Sequence, residues 1–283
     1  MNDGVDGPVE KPRGDVTVEA EGRLTVSVLL SLPASARPGL LLQPRPKKGK
    51  PEGAARYVEL EPAGQDRWRA VVEAAPALEE GHWDAYVMGV PGEERTPLTP
   101  GLRDLRALVS GGRDDRATPV AVRIPYATKD GRLAVRTWWR AMHAEAGPIV
   151  LTDDSMTVTA RLFGARLGED ATATLRRRGQ GSAVRQVALR AEDGQDFSFT
   201  VDYADLVAEG GGRPAREAPE FWDVYVHPAA GAPRIRVGRL LDDIAERKAV
   251  FVYPAALLDG VSVRPYYTVD NDLSVEVAPR RTG

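Results

Sequence analysis

The sequence predicts an all-β protein of two tandem β-sandwich domains, each with one short helix. Three observations carry the prediction: apolar residues at spacing two, a high density of turn residues, and a second half that repeats the first. Val16 and Val18, then Leu24, Val26 and Val28, Val58 and Leu60, Trp68, Ala70 and Val72, and Val120, Val122 and Ile124 alternate with polar residues. Period two gives a strand one buried and one solvated face. Gly 28 and Pro 22 in 283 residues favour short strands joined by many turns over long helices.

The repeat is visible in four blocks that keep their order. Trp83-Asp84-Ala85-Tyr86-Val87 returns as Trp222-Asp223-Val224-Tyr225-Val226, and Pro125 to Val135 returns as Pro265 to Val275. Arg56, Val58, Leu60, Trp68, Ala70 and Val72 align with Arg185, Val187, Leu189, Phe197, Phe199 and Val201; Leu24-Thr25-Val26 aligns with Met156-Thr157-Val158. A tandem duplication accounts for all four.

In chain order, residues 1–14 read as a flexible tail and residues 15–140 as the first sandwich. Leu102, Leu105 and Val109 at helical spacing predict a helix over Gly101 to Ser110. Asp130-Gly131 and Asp270-Asn271 mark equivalent hairpin turns, because Gly and Asn best tolerate positive φ. The boundary is expected at 140–152, a stretch without strand pattern, with Trp138 and Trp139 just before it packed as a domain contact. The second sandwich spans 150–278, and Leu240 to Lys248 is read as its helix.

Composition narrows the functions. Hydrophobic residues at 42% and charged residues at 28% mark a globular protein. A net charge of −3 excludes a generally cationic nucleic-acid binder. Cys 0 removes disulfides, thiol nucleophiles and Cys-ligated metal together, and His 3 leaves little for a metal site, so no cofactor or metal is expected. No secretory signal or apolar membrane span is seen, which predicts a cytoplasmic protein. Phosphate-loop, dinucleotide and nucleophile-elbow motifs are missing, and no residue is assigned a catalytic role.

The remaining candidates are structural or ionic. Trp83 and Trp222, with Tyr86, Tyr225, Tyr126 and Tyr266, are read as core, and Asp84 and Asp223 as strand-edge carboxylates bonded to a neighbouring loop. Arg45, Lys47, Lys48 and Lys50 follow Leu42, and Arg176, Arg177 and Arg178 follow Leu175, giving two cationic loops that could hold an anionic polymer together.

The pattern Trp-Asp-x-Tyr-Val followed by Pro-Tyr-x-Thr-x-Asp-Gly/Asn-x-Leu resembles the tandem C-terminal modules of bacterial cell-wall glycosyltransferases of the teichoic-acid type. It is carried by Trp83, Asp84, Tyr86, Pro125, Tyr126 and Leu133, and by Trp222, Asp223, Tyr225, Pro265, Tyr266, Thr268 and Leu273. The resemblance implies immunoglobulin-like sandwiches that are not catalytic and that serve oligomerisation or polymer binding. The family's catalytic domain and its Asp-x-Asp motif are absent, so no catalytic residue carries over. The expected function is a non-catalytic accessory or scaffold protein that binds a transferase partner or an anionic wall polymer. The alternative is a small transferase-like enzyme with a site between the sandwiches.

Overall fold

The structure is a computed structural model that describes residues 11–19, 21–33, 36–46, 49, 51–89, 94–110, 118–179, 183–208 and 218–280. Lys47, Lys48 and Lys50 of the first cationic loop lie outside the described residues. Strands account for 54% of the described residues, and the two helices among them are 5 residues each, so the described part of the protein is mostly β. The chain divides into two compact units, residues 1–113 with 121–139, and residues 114–120 with 140–283.

The first unit begins with β1 (Arg13–Val18), β2 (Leu24–Leu29), β3 (Gly39–Pro44), β4 (Arg56–Glu59), β5 (Glu61–Pro62) and β6 (Arg67–Val72). It continues through β7 (Gly81–Met88), β8 (Thr96–Pro97), β9 (Thr99–Asp104), α1 (Arg106–Ser110), β10 (Val120–Ala127) and β11 (Leu133–Arg140). The second begins with β12 (His143–Leu151), β13 (Ser155–Phe163), β14 (Thr172–Arg177), β15 (Val184–Ala188), β16 (Arg190–Ala191) and β17 (Asp196–Asp202). After α2 (Tyr203–Val207) come β18 (Glu220–His227), β19 (Ile235–Gly238), β20 (Ala256–Leu258), β21 (Val261–Tyr267) and β22 (Leu273–Pro279).

Strand orders match between the units. One sheet of the first unit runs β5-β6-β2-β1-β9 and the other β10-β11-β7-β3-β4, with β8 on β7. In the second unit, β16-β17-β13-β12-β19 has the order of the former, and β18 lies between β22 and β14 as β7 lies between β11 and β3. Registers match as well. Leu24↔Val72, Val26↔Ala70 and Val28↔Trp68 correspond to Met156↔Val201, Val158↔Phe199 and Ala160↔Phe197. Leu42↔Ala85 corresponds to Leu175↔Val224.

One connection differs. In the first unit, Thr96 and Pro97 pair with β7, and a separate strand from Thr99 pairs with β1. In the second, β19 does both: Ile235 and Arg236 pair with β18, then Val237 and Gly238 with β12. The second unit is therefore one continuous 11-stranded sheet, not two.

Inward positions form the cores, with Trp83 4% and Trp222 0% exposed. The Trp83 indole donates to the carbonyl of Glu79 at 3.0 Å and to Thr137 Oγ1 at 3.2 Å. The Trp222 indole N–H has no hydrogen-bond partner among the described residues. Tyr126 is buried too, whereas Tyr86, Tyr225 and Tyr266 sit half-buried on the outward face, a correction to their assignment as core.

Four expectations about elements are corrected. The first strand starts at Arg13, inside the predicted tail. The expected helix over Gly101 to Ser110 is half strand, because β9 pairs in parallel with β1 and the Asp15 carboxylate accepts from Leu102 N at 2.8 Å. A Cβ on Gly101 would lie 2.0 Å from that carboxylate oxygen, so the glycine admits the contact. The patternless boundary contains β12, whose buried residues His143, Ala144, Glu145 and Ala146 are small or polar and give no apolar alternation. Leu240 to Lys248 is not a helix: Glu145 accepts from Leu240 N and Leu241 N at 2.8 and 3.1 Å, and Asn271 Oδ1 accepts from Arg247 N at 3.0 Å. The Arg247 N–H is one that a helix over this stretch would pair internally, whereas Leu240 N and Leu241 N would lack an intrahelical partner in either case. Trp138 is buried and Trp139 is 48% exposed.

The paired turns keep their chemistry. Gly131 and Asn271 have φ of 69° and 58°. Asn271 adds what glycine cannot, donating from Nδ2 to the carbonyl of Ile244 at 3.0 Å while its Oδ1 takes Arg247 N.

Candidate functional site

Alternation on β7 and β18 puts Trp83 and Trp222 inward and sends His82, Asp84, Tyr86 and Phe221, Asp223, Tyr225 outward. Neighbouring strands face them with matched partners. Arg45 donates to Asp84 from Nη2 at 2.6 Å and Nε at 2.9 Å, and Arg178 donates to Asp223 at the same two distances. The His82 and Tyr126 rings meet edge-on at 5.9 Å, as do Phe221 and Tyr266. Arg95 lies over Tyr86 and Arg234 over Tyr225, each at 4.9 Å.

The second unit extends this motif. Asp223 Oδ1 also accepts from Arg236 Nη2 at 2.7 Å and Ser274 Oγ at 2.9 Å, and Asp272 accepts from Arg140 Nη1 at 2.9 Å. Pro97 and Ala134 stand at the positions of Arg236 and Ser274 in the first unit and cannot supply those donors. Burial raises the Asp223 pKa, but hydrogen bonds from Arg178 and Arg236 outweigh it and hold the carboxyl below its ordinary 3.8. A lowered folded pKa stabilises above the unfolded value and is lost as pH falls through the folded one. Asp223→Asn is accordingly expected to cost about 2 kcal/mol at pH 7 and Asp84→Asn about 1 kcal/mol. In urea titrations from pH 7 to pH 2, the Asp223 difference should shrink below pH 3.8; a difference independent of pH would refute the assignment.

The cationic loops therefore differ from their expected form. Arg176 and Arg177 are residues of β14, not of a turn. Arg45, Arg178 and Arg177 are ion-paired within the fold, the last to Glu220 at 3.2 Å.

Beside the Asp223 cluster lies a pocket of about 210 Å³ that the sequence did not single out. Phe221, Phe251, Tyr253 and Tyr266 provide its rings and Pro265 an apolar wall; Lys248 and the Arg264–Glu276 ion pair, 2.5 Å apart, provide its polar groups. The segment that brings Phe251 and Tyr253 there is anchored by Arg247, which is fully buried. Its Nη2 reaches both Asp242 oxygens at 2.5 Å, and its guanidinium stacks 4.7 Å from Phe251 and 5.3 Å from Tyr267. In the first unit, Ile124, Tyr126 and Arg136 occupy the places of Arg264, Tyr266 and Glu276, and all three are buried. The open form of this patch belongs to the second unit. Its one sequence signal was the Phe251-Val252-Tyr253 run.

No group of three or more His, Asp or Glu among the described residues could hold a metal ion. No helix among them is long and apolar enough to cross a membrane.

No family model matches the chain, and no curated protein matches it. Among solved structures, it is similar to S. aureus TarS, with a TM-score of 0.30 and 13% identity over 66% of this chain and 35% of that one. For a TarS structure spanning 217–571 the TM-score is 0.29 at 13% identity, over 70% of this chain and 59% of that one. The chain thus spans less than two thirds of either, and neither score reaches the level of a shared fold.

Proposed function

We propose that the protein is a non-catalytic accessory module of two immunoglobulin-like sandwiches, the second of which holds one saccharide unit of a polymer. The matched strand orders and inward-facing cores support the sandwich reading. The pocket carries the functional one. At about 210 Å³ it is below the ~300 Å³ at which sites for drug-sized ligands begin, and suits a single ring. Aromatic faces take the apolar side of a sugar, while a guanidinium beside a carboxylate offers a donor and an acceptor to adjacent hydroxyls. The carboxylates nearby do not suit acid catalysis: Glu276 is paired with Arg264, and Asp223 is held below its ordinary pKa where a general acid needs a raised one.

Glycan-array binding followed by calorimetry tests this. Phe251→Ala and Tyr253→Ala should each weaken the best oligosaccharide by five- to thirty-fold, as for removal of a central aromatic anchor at about 1–2 kcal/mol. No shorter product should accumulate during the titration. Unchanged affinity in both variants, or turnover of the glycan, would overturn the proposal.

A further inference from the structure

We infer that the saccharide held in this pocket is anionic, with its negative group set against Lys248. The inference rests on the pocket reading above and adds the charge of its ligand. Two cations and one carboxylate line the pocket, leaving one positive charge in excess. Arg264 is neutralised by Glu276. Lys248 makes no ion pair with any described residue, so its ammonium is the cation left for a ligand.

The backbone at Lys248 is set by its neighbour Arg247. The Arg247 side chain is locked between Asp242, Phe251 and Tyr267, and its carbonyl accepts from Val250 N at 3.0 Å and Phe251 N at 2.9 Å. That tight turn carries Lys248 and Phe251 together on one rim, a charge three residues from a ring. A sugar lying on the rings would then place a carboxylate or phosphodiester substituent at the ammonium. The contact is solvent-accessible and salt-screened, which fits a selectivity filter more than a source of affinity.

The test uses the full chain and three probes: a neutral glucan oligosaccharide, a uronate oligosaccharide of equal length, and a phosphodiester-linked saccharide polymer. Inorganic polyphosphate serves as an anion without rings. At low salt, at least one anionic saccharide should bind about fivefold more tightly than the neutral one, and polyphosphate should bind weakly or not at all. Lys248→Gln should bring charged and neutral saccharides within twofold, and Lys248→Glu should invert the preference. Because Lys248 is exposed, both variants keep the fold, which circular dichroism checks. Equal binding of charged and neutral saccharides by the wild type, or a preference that survives Lys248→Gln, overturns the anionic assignment while leaving the pocket intact. Binding of polyphosphate as tight as that of the saccharides overturns it too. Failure of every saccharide to bind removes the pocket reading itself.

Discussion

Arg247→Met is expected to destabilise the second unit by about 3–5 kcal/mol, the cost of removing one partner of a buried ion pair. Arg247 is 0% and Asp242 6% exposed, so the substitution leaves a buried carboxylate with only Arg239 Nε at 3.3 Å and the Ile244 N–H at 3.1 Å to balance it. Methionine fills much of the volume between Phe251 and Tyr267 but supplies neither the charge nor the donors. Urea unfolding of the full chain measures the loss, and hydrogen exchange over residues 235–258 locates it. Adding Asp242→Leu to Arg247→Met should recover part of the stability, since both charges then leave together. A cost below about 1 kcal/mol would show that solvent reaches the pair.

Trp222→Ala should cost about 3–5 kcal/mol as the largest cavity opened in the second core. The informative comparison is with phenylalanine. The Trp222 indole N–H has no partner among the described residues, so Trp222→Phe loses volume alone. Trp83→Phe also strips a donor from the Glu79 carbonyl and Thr137, adding roughly 1 kcal/mol to its loss. Thermal unfolding of the two phenylalanine variants should therefore rank Trp83→Phe as the more damaging relative to each alanine variant. Equal ratios would mean that the indole bonds of Trp83 contribute nothing.

Strands announced by large apolar residues were legible in the sequence. Leu24, Val26 and Val28 or Trp68, Ala70 and Val72 state their inward face, and their registers recur at Met156, Val158, Phe197 and Phe199. Elements fixed by tertiary hydrogen bonds were not. β12 is buried through His143, Ala144, Glu145 and Ala146, residues that carry no alternation, and the segment from Leu240 to Lys248 has the spacing of a helix but gives its Arg247 N–H to Asn271 Oδ1. The same limit hid the pocket. Tyr266 was recognisable as a repeat position, yet Lys248, Phe251 and Tyr253 reach it only because Arg247 turns the chain, and nothing in residues 239–255 encodes that turn by period. Asp84 and Asp223 were legible in part: read as strand-edge acids bonded to a neighbouring loop, they do bond Arg45 and Arg178 just past the ends of β3 and β14, but they lie mid-strand on β7 and β18 with a paired strand on each side.

Strand β19 has a mechanical meaning. Its hydrogen bonds run first to β18 and then to β12, so it is a stitch through both halves of the second unit. Prying those halves apart must rupture the stitch lengthwise, which couples their failure into one event. The first unit has a seam at the same place, where Pro97, lacking an N–H, ends one short strand before another begins at Thr99. Two copies of one strand order thus differ in how their halves are tied, and the copy tied by a single strand is the one that bears the pocket.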